Sequence, residues 1–371
     1  MPLIHCLLPA KEYYTRENAG AVAMVTEDMV LSSRYGADCC VFGRVSPNKP
    51  LTKRFTPLKP KTALLYGQNI GMARAYLDHL KQTKTTPDWV EVHGRCQVVA
   101  YLAKKRPDLK IVLILHNDAR EMKGAKTVAE RRGLAQALTG VFAVSQYLID
   151  GFNDGLTPED RDGLIQQVTP LGIDHRHQSP PKKKKHIVIT GRMVPEKGML
   201  EAAEALSMVL PHHPDWSARL IGARGFQDGD KTPYELAVAK ALESCGAQAQ
   251  ALGFLPIDDV YKEQDQAAIA LVPSQWQEPA GRVLLEAMVA GAALITTRRG
   301  GIPEYAEGRA IILDTPDATA IAKALDALIT DPKMLKTYQK KAWDEYPFTR
   351  AHAGQKLDQG RDAIKARADN G

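Results

Sequence analysis

The sequence predicts an α/β protein built from two doubly wound halves, each a parallel sheet covered by helices. Three observations carry this reading. Strand-length apolar runs alternate with amphipathic helical stretches along nearly all of the 371 residues. The length suits two domains, each large enough to bury its own core. Near the middle a Pro pair and a lysine run, Ser179 to Lys185 (SPPKKKK), break the alternation, which then restarts.

In chain order, the first half shows strand-like runs at Leu3–Leu8, Cys39–Phe42, Ala63–Tyr66, Trp89–Val92, Ile111–His116 and Gly140–Val144. Apolar residues spaced three and four apart predict helices over Val22–Tyr35, Met72–Lys81, Val98–Arg106, Val128–Ala137 and Gln146–Asn153. Beyond the break come strand His186–Thr190, helix Leu200–Leu210, strand Ser217–Ile221 and helix Glu235–Ser244. Further strands follow near Ala249–Leu252, Ile269–Val272, Ala293–Thr296 and Ala310–Leu313, with a helix over Val283–Ala290 among them. The last stretch, Pro332 to Asp369, is polar and helical, a candidate to pack back on the first half. The expected division is therefore 1–178, 179–335 and a helical tail over 336–371. Two such halves imply a cleft in which the C-terminal ends of the strands hold a ligand.

Composition narrows the function classes. With 44% hydrophobic, 25% charged and 6% aromatic residues the chain sits near the globular average, which excludes disorder, collagen and coiled coil. No apolar run approaches the ~18 residues of a membrane span, and the opening MPLIHCLLPAKEYY has neither a basic start nor a long apolar stretch. The five cysteines (Cys6, Cys39, Cys40, Cys96, Cys245) lack metal-ligand spacing. A cytoplasmic protein with reduced thiols is the expectation.

The net charge of +6 belongs to the first half, where residues 1–180 carry 24 basic and 18 acidic residues, against 25 of each in the remainder. Within it lies a basic loop, Asn48 to Lys61 (NKPLTKRFTPLKPK). It is either a solvated connection or a patch for an anionic membrane surface or an anionic acceptor. Nucleic acid is not expected, because no basic stretch is interleaved with aromatics.

The chemistry concentrates in Pro273 to Glu304. There a Gly-containing turn (Pro279, Ala280, Gly281) opens an apolar-periodic helix, with Glu278 before it and Glu286 about two turns further on. A helix start of this kind offers unpaired N–H groups and the positive end of the helix dipole, which suit a phosphate or diphosphate. The glutamates, as acceptors, suit the hydroxyls of a sugar and a ribose. As an ordinary capped helix, the segment would account for one glutamate and the glycine but not for the whole string. After the first strand of the second half, Arg192 supplies a fork and Lys197 a compact charge, a pair suited to a diphosphate.

These residues resemble the retaining nucleotide-sugar glycosyltransferases of family 4, which have the GT-B fold of two Rossmann-like domains facing a central cleft. The strings GRMVPEKG (191–198), EPAGRVLLEAMVAG (278–291) and GGIPE (300–304) carry the resemblance in order and spacing. It implies that Arg192 and Lys197 contact the donor diphosphate, and that the amides of Gly281, Arg282 and Val283 complete the phosphate cradle. It gives Glu278 the transferred sugar and Glu286 the ribose. In the first half, Trp89 to Arg95 (WVEVHGR) is similar to the family's strand-end histidine motif, so His93 would face the donor sugar. His116, at the end of a second such strand, ranks below it. Many relatives carry a Gly-Gly pair after the first strand; here Asn18-Ala19-Gly20-Ala21 leaves Gly20 as the backbone that approaches a phosphate or acceptor.

The resemblance implies transfer of a sugar from a nucleoside-diphosphate donor to a hydroxyl of a glycan or lipid-linked acceptor, with retained configuration. The setting would be cell-envelope polysaccharide or lipopolysaccharide synthesis, with the enzyme in the cytoplasm or peripheral at the inner membrane face. No cofactor is expected beyond the co-substrate. No Asp-x-Asp pair is expected either, which goes with metal independence. Competing readings are a sugar-nucleotide epimerase or hydrolase of the same fold, and a non-catalytic binding protein that kept the fold. A dinucleotide oxidoreductase does not fit, because Gly222-Ala223-Arg224-Gly225 lacks the G-x-G-x-x-G spacing.

Overall fold

The computed structural model describes residues 2–61, 63–225 and 231–369. The chain divides into two compact units, Met1–Gly172 with Arg350–Gly371, and Ile173–Thr349.

Unit 1 runs β1 (Ile4–Leu7), α1 (Ala21–Ser32), β2 (Cys39–Arg44), β3 (Phe55–Leu58), α2 (Ala63–Tyr66), α3 (Gln68–Thr83), β4 (Trp89–His93), α4 (Cys96–Lys105), β5 (Ile111–Leu115), α5 (Val128–Ala137), β6 (Gly140–Ala143), α6 (Gln146–Asn153) and β7 (Ile165–Val168). Its seven strands are all parallel, in the order β3-β2-β1-β4-β5-β6-β7. Strands β5 and β6 are apolar and buried along their length, as a parallel sheet under helices on each side requires.

Unit 2 runs β8 (Lys184–Thr190), α7 (Met199–Val209), β9 (Ser217–Ile221), α8 (Pro233–Ala241), β10 (Ala249–Gly253), α9 (Ile257–Gln266), β11 (Ala267–Leu271), α10 (Arg282–Val289), β12 (Ala293–Thr297), α11 (Ile302–Ala306), β13 (Ala310–Leu313), α12 (Ala318–Thr330) and α13 (Pro332–Asp344). Its six parallel strands lie in the order β10-β9-β8-β11-β12-β13. Ile187, Ile189, Leu220, Ile269, Leu271 and Ile295 from the sheet meet Leu206, Leu325 and Leu328 from the helices in one buried core. Each such side chain contributes about 1.5–3 kcal/mol of transfer free energy. The last helix, α14 (Arg350–Asp369), belongs to unit 1.

Helix starts follow the local chemistry. Thr127 with Glu130 and Thr232 with Glu235 form capping boxes at α5 and α8, the second with Pro233 in the first turn. Asp317 accepts from the Ala320 amide at 2.8 Å, and Asp331 from those of Lys333 and Met334.

Several expectations change. Ala63–Tyr66 is a helical turn, and the third strand is instead Phe55–Leu58, inside the basic loop. Pro57 and the flanking lysines hide it, and an edge strand tolerates both. In the edge strand β7, Ile-Gln-Gln-Val, two adjacent glutamines break the apolar alternation. The lysine run is not wholly a linker, since β8 begins at Lys184; the units part at 172/173 and again at 349/350. The expected tail is two helices, of which α13 packs in unit 2 and α14 in unit 1.

In each sheet the strand order reverses once, between β1 and β4 in unit 1 and between β8 and β11 in unit 2. Loops leaving the C-terminal ends of these strands diverge and leave a crevice, the usual ligand position in an open parallel sheet.

Candidate active site

The loops after β8 and β11 flank the unit 2 reversal. The β8 loop makes a short turn, Pro195–Lys197, and ends at Gly198, whose φ is +69°. A Cβ there would lie 2.0 Å from the Pro273 carbonyl oxygen, so only glycine lets this loop close on the loop after β11. The Gln275 amide then donates to the Glu196 carbonyl at 2.9 Å. Lys197 is thereby delivered to Glu278, and the two form an ion pair.

Glu278 is held one-sidedly. Lys197 Nζ, Trp276 Nε1 (2.9 Å) and Ser274 Oγ (3.3 Å) all donate to Oε2, and Lys197 Nζ lies 5.4 Å from the centroid of the Trp276 ring. Oε1 has no partner among the described residues. The Gly-Gly pair of GGIPE fixes the same segment from behind. Gly301 N–H donates to the Glu278 carbonyl at 2.8 Å and Gly300 N–H to Gln277 Oε1 at 2.6 Å. At Gly300, with φ +56°, a Cβ would come within 2.2 Å of the Glu278 carbonyl oxygen. The clamp explains why this string accompanies the glutamate.

Helix α10 starts behind Gly281 with no side-chain cap and no acidic residue in its first turn. Its start, including the Arg282 and Val283 amides, therefore keeps the partial positive charge of an uncapped terminus. Glu286, one turn in, is buried. Arg282 Nε reaches its Oε1 at 3.3 Å and Gln264 Nε2 its Oε2 at 3.4 Å. Both are long contacts, easily exchanged for a better donor. The sequence reading missed α9, which supplies Gln264, because only Ile257, Val260 and Tyr261 in it are apolar; it missed Arg176 too, whose guanidinium lies 4.3 Å from the Tyr261 ring centroid. Arg192 is exposed, and no side-chain partner joins it to the Lys197–Glu278 cluster among the described residues.

In unit 1, His93 ends β4 fully buried, its ring stacked on His116 with centroids 5.3 Å apart. His93 Nδ1 lies 3.1 Å from Thr26 Oγ1 and 3.0 Å from His116 Nε2. The Thr26 hydroxyl already donates to the Val22 carbonyl, so its contact with His93 requires a proton on Nδ1. That leaves Nε2 as a lone-pair acceptor, buried and without a partner among the described residues. Burial, helped by the Arg361 charge, lowers the His93 pKa to about 3. Burial and the neighbouring His93 and Arg95 hold His116 well below the ordinary histidine value. Both rings are neutral at neutral pH.

Two residues down the same strand, Glu91 and Arg361 of α14 form a fully buried bidentate pair at 2.8 and 2.7 Å. Burial alone would raise the Glu91 pKa, but the charge and hydrogen bonds of Arg361 hold it below the usual carboxylate range. Cys6, Glu91 and His93 lie close enough to share a cation, yet both carboxylate oxygens of Glu91 are engaged by Arg361, so the set does not suit a metal ion.

Gly20 precedes the first residue of α1. Its φ of −79° is open to any residue. What approaches it is the Glu12 carboxylate, which accepts from the Ala23 amide at 3.3 Å and would lie 2.5 Å from a Cβ at position 20. The start of α1 thus already holds an anion of the protein's own. The expected absence of Asp-x-Asp pairs also fails: two occur, at 160–162 and 228–230. Asp160 is committed to Arg132 and the Thr157 amide, and the second pair lies outside the described residues.

Comparison with known proteins follows the same division. Residues 173–344, nearly all of unit 2, match the family model described as Glycosyl transferases group 1. YtcC of Bacillus subtilis, provisionally named a glycosyltransferase, is 28% identical over 364 residues, covering 91% of this chain and 86% of that protein. The lipopolysaccharide 1,2-N-acetylglucosaminetransferase of Salmonella typhimurium is 24% identical over 265 residues, covering 69% of this chain and 65% of that one. Among solved structures, Anabaena HepE in complex with UDP-glucose superimposes with a TM-score of 0.73 at 14% identity, covering 97% of this chain and 99% of that one. That likeness concerns the fold, two Rossmann-like α/β domains of the GT-B kind.

Proposed function

We propose that the protein is a retaining glycosyltransferase that moves a sugar from a nucleoside-diphosphate donor to a hydroxyl of a glycan or lipid-linked acceptor. The observation that carries this reading is the cluster at the β8/β11 reversal. There Lys197 and the uncapped start of α10 supply positive charge, next to a Glu278 carboxylate with one oxygen open. In the proposed reaction the bond from the anomeric carbon to the diphosphate oxygen breaks, and the acceptor oxygen bonds to the same face of that carbon. The acceptor proton passes to the departing phosphate oxygen. Lys197 and the amides of Arg282 and Val283 stabilise the charge that develops on the diphosphate, with Arg192 joining them when its exposed side chain folds onto the donor. Glu278 Oε1 accepts from sugar hydroxyls, and Glu286 exchanges its long contacts for the ribose. In unit 1, the neutral His93 Nε2 lone pair is suited to accept from a hydroxyl, offering orientation rather than charge. The Glu12 carboxylate at Gly20 argues against a second phosphate contact at that helix start. Metal independence and a role in envelope polysaccharide or lipopolysaccharide synthesis are part of the proposal, the latter supported by the named activity of the Salmonella relative.

Phosphorus and proton NMR of nucleotide-sugar turnover tests it. The expected result is acceptor-dependent release of nucleoside diphosphate, unaffected by EDTA, with the donor's anomeric coupling kept in the product. Turnover without any acceptor would favour the epimerase or hydrolase, and an inverted anomer would contradict retention.

A further inference from the structure

The stretch from Cys39 to Leu77 contains no Asp or Glu and seven basic residues, where the chain-wide density of 43 acidic residues in 371 would place four or five acidic ones. The structure adds what the charge count could not: in the middle of this stretch, helix α2 holds Leu64, Leu65 and Tyr66 out in solvent, at 104%, 78% and 56% exposure. Three consecutive large apolar side chains left open need a partner. Lys59 is exposed where the chain leaves β3 for this turn, Lys61 follows it and pairs with Asp78, and Arg74 of α3 sits 5.1 Å from the centroid of the Tyr66 ring. An apolar tip flanked by Lys59 and Arg74, with a tyrosine at its edge, has chemistry suited to an anionic bilayer surface. Apolar side chains enter the acyl boundary, the tyrosine sits at headgroup level, and the cations meet anionic lipid. An acidic protein surface would match the cations but would leave the leucines in water.

The position also matters. Because every strand of unit 1 is parallel, the loop carrying α2 leaves β3 from the same sheet edge at which β4 ends in His93. We propose that α2 is a membrane-docking turn, which seats unit 1 on an anionic phospholipid surface with the His93 edge turned toward it. This selects a lipid-linked acceptor from the classes proposed above. The docking itself does not depend on the donor chemistry, so it can fail while glycosyl transfer stands.

The test is cosedimentation of the full chain with vesicles of phosphatidylcholine alone and of phosphatidylcholine mixed with phosphatidylglycerol. The wild type is expected to bind the mixed vesicles, more weakly as salt rises, and scarcely to bind the neutral ones. The double substitution Leu64→Asp, Leu65→Asp is expected to weaken partition at least about tenfold while keeping the wild-type melting temperature, since both side chains are solvent-exposed. As a second readout, a Tyr66→Trp reporter should be quenched by brominated lipid. Equal sedimentation of the double variant, an unquenched reporter, or absence of wild-type binding to the mixed vesicles would overturn the proposal. So would a self-associated wild type that the double variant converts to monomer, which would make a second copy the occupant.

Discussion

In unit 1 the charges that matter are sealed inside. Glu91 and Arg361 pair with no exposure at all, His5 and His93 are buried in neutral form, and His116 is half-buried and neutral beside His93. In unit 2 the corresponding charges stand at strand ends, where Lys197 and Glu278 remain partly open. The same sheet plan therefore serves two ends. Burying a charge pair ties α14, far away in sequence, to the central strand of unit 1, while an open pair keeps donors and acceptors available for a ligand. The difference predicts that substitutions in unit 1 are read in stability and those in unit 2 in activity.

The largest expected effect is on the sealed pair. Arg361→Met should cost about 3–5 kcal/mol by stranding Glu91, and urea unfolding followed by hydrogen exchange should locate the loss in unit 1. If Glu91→Leu added to it restores most of the stability, the stranded charge is the cause. Next, Lys197→Met should lower the transfer rate by about 10²–10³-fold with an unchanged melting temperature. A large drop in stability there would erase the contrast between the units.

Acid should act on unit 1 first. Burial, with the His79 and Arg54 charges, lowers the His5 pKa to about 4, and burial with Arg361 lowers that of His93 to about 3. Below the ordinary value of ~6.5 the unfolded chain takes up protons that the folded unit refuses, so stability present above that pH is lost as pH falls. Each of the two residues should cost roughly 2 kcal/mol by pH 5. In unit 2 burial lowers His186 too, but Glu263 at 3.2 Å opposes the shift. Hydrogen exchange at pH 5 should show unit 1 opening ahead of unit 2, and equal opening would break the comparison. The smallest effects should be alike in both units: Thr127→Ala and Thr232→Ala each remove a capping box for about 1 kcal/mol, measurable by chemical denaturation.

How far the sequence could be read follows the same line. Unit 2 was legible because its site is local: Glu278, Gly281 and Glu286 fall in one string, and the β8 turn in another. Even there the partners of Glu286 were not, since Gln264 comes from a polar helix whose relation to α10 is tertiary. Unit 1 was legible in its central strands but not at its edges, where Pro57 and the glutamines of β7 carry no apolar alternation. Glu91 sits in a strand motif that points to His93, and nothing nearby announces that its partner lies 270 residues on. The Glu12 carboxylate at Gly20 was invisible for the same reason, because a loop decides it rather than a repeat.

The central claim is that the β8/β11 reversal holds a nucleoside-diphosphate sugar. Saturation-transfer NMR against UDP-, GDP- and ADP-sugars tests it most directly, with UDP-sugars first and Glu286→Ala alongside. Selective binding of one nucleotide, lost in the variant with its melting temperature kept, is the predicted result. No binding to any of them, or binding that the variant leaves intact, would contradict the account.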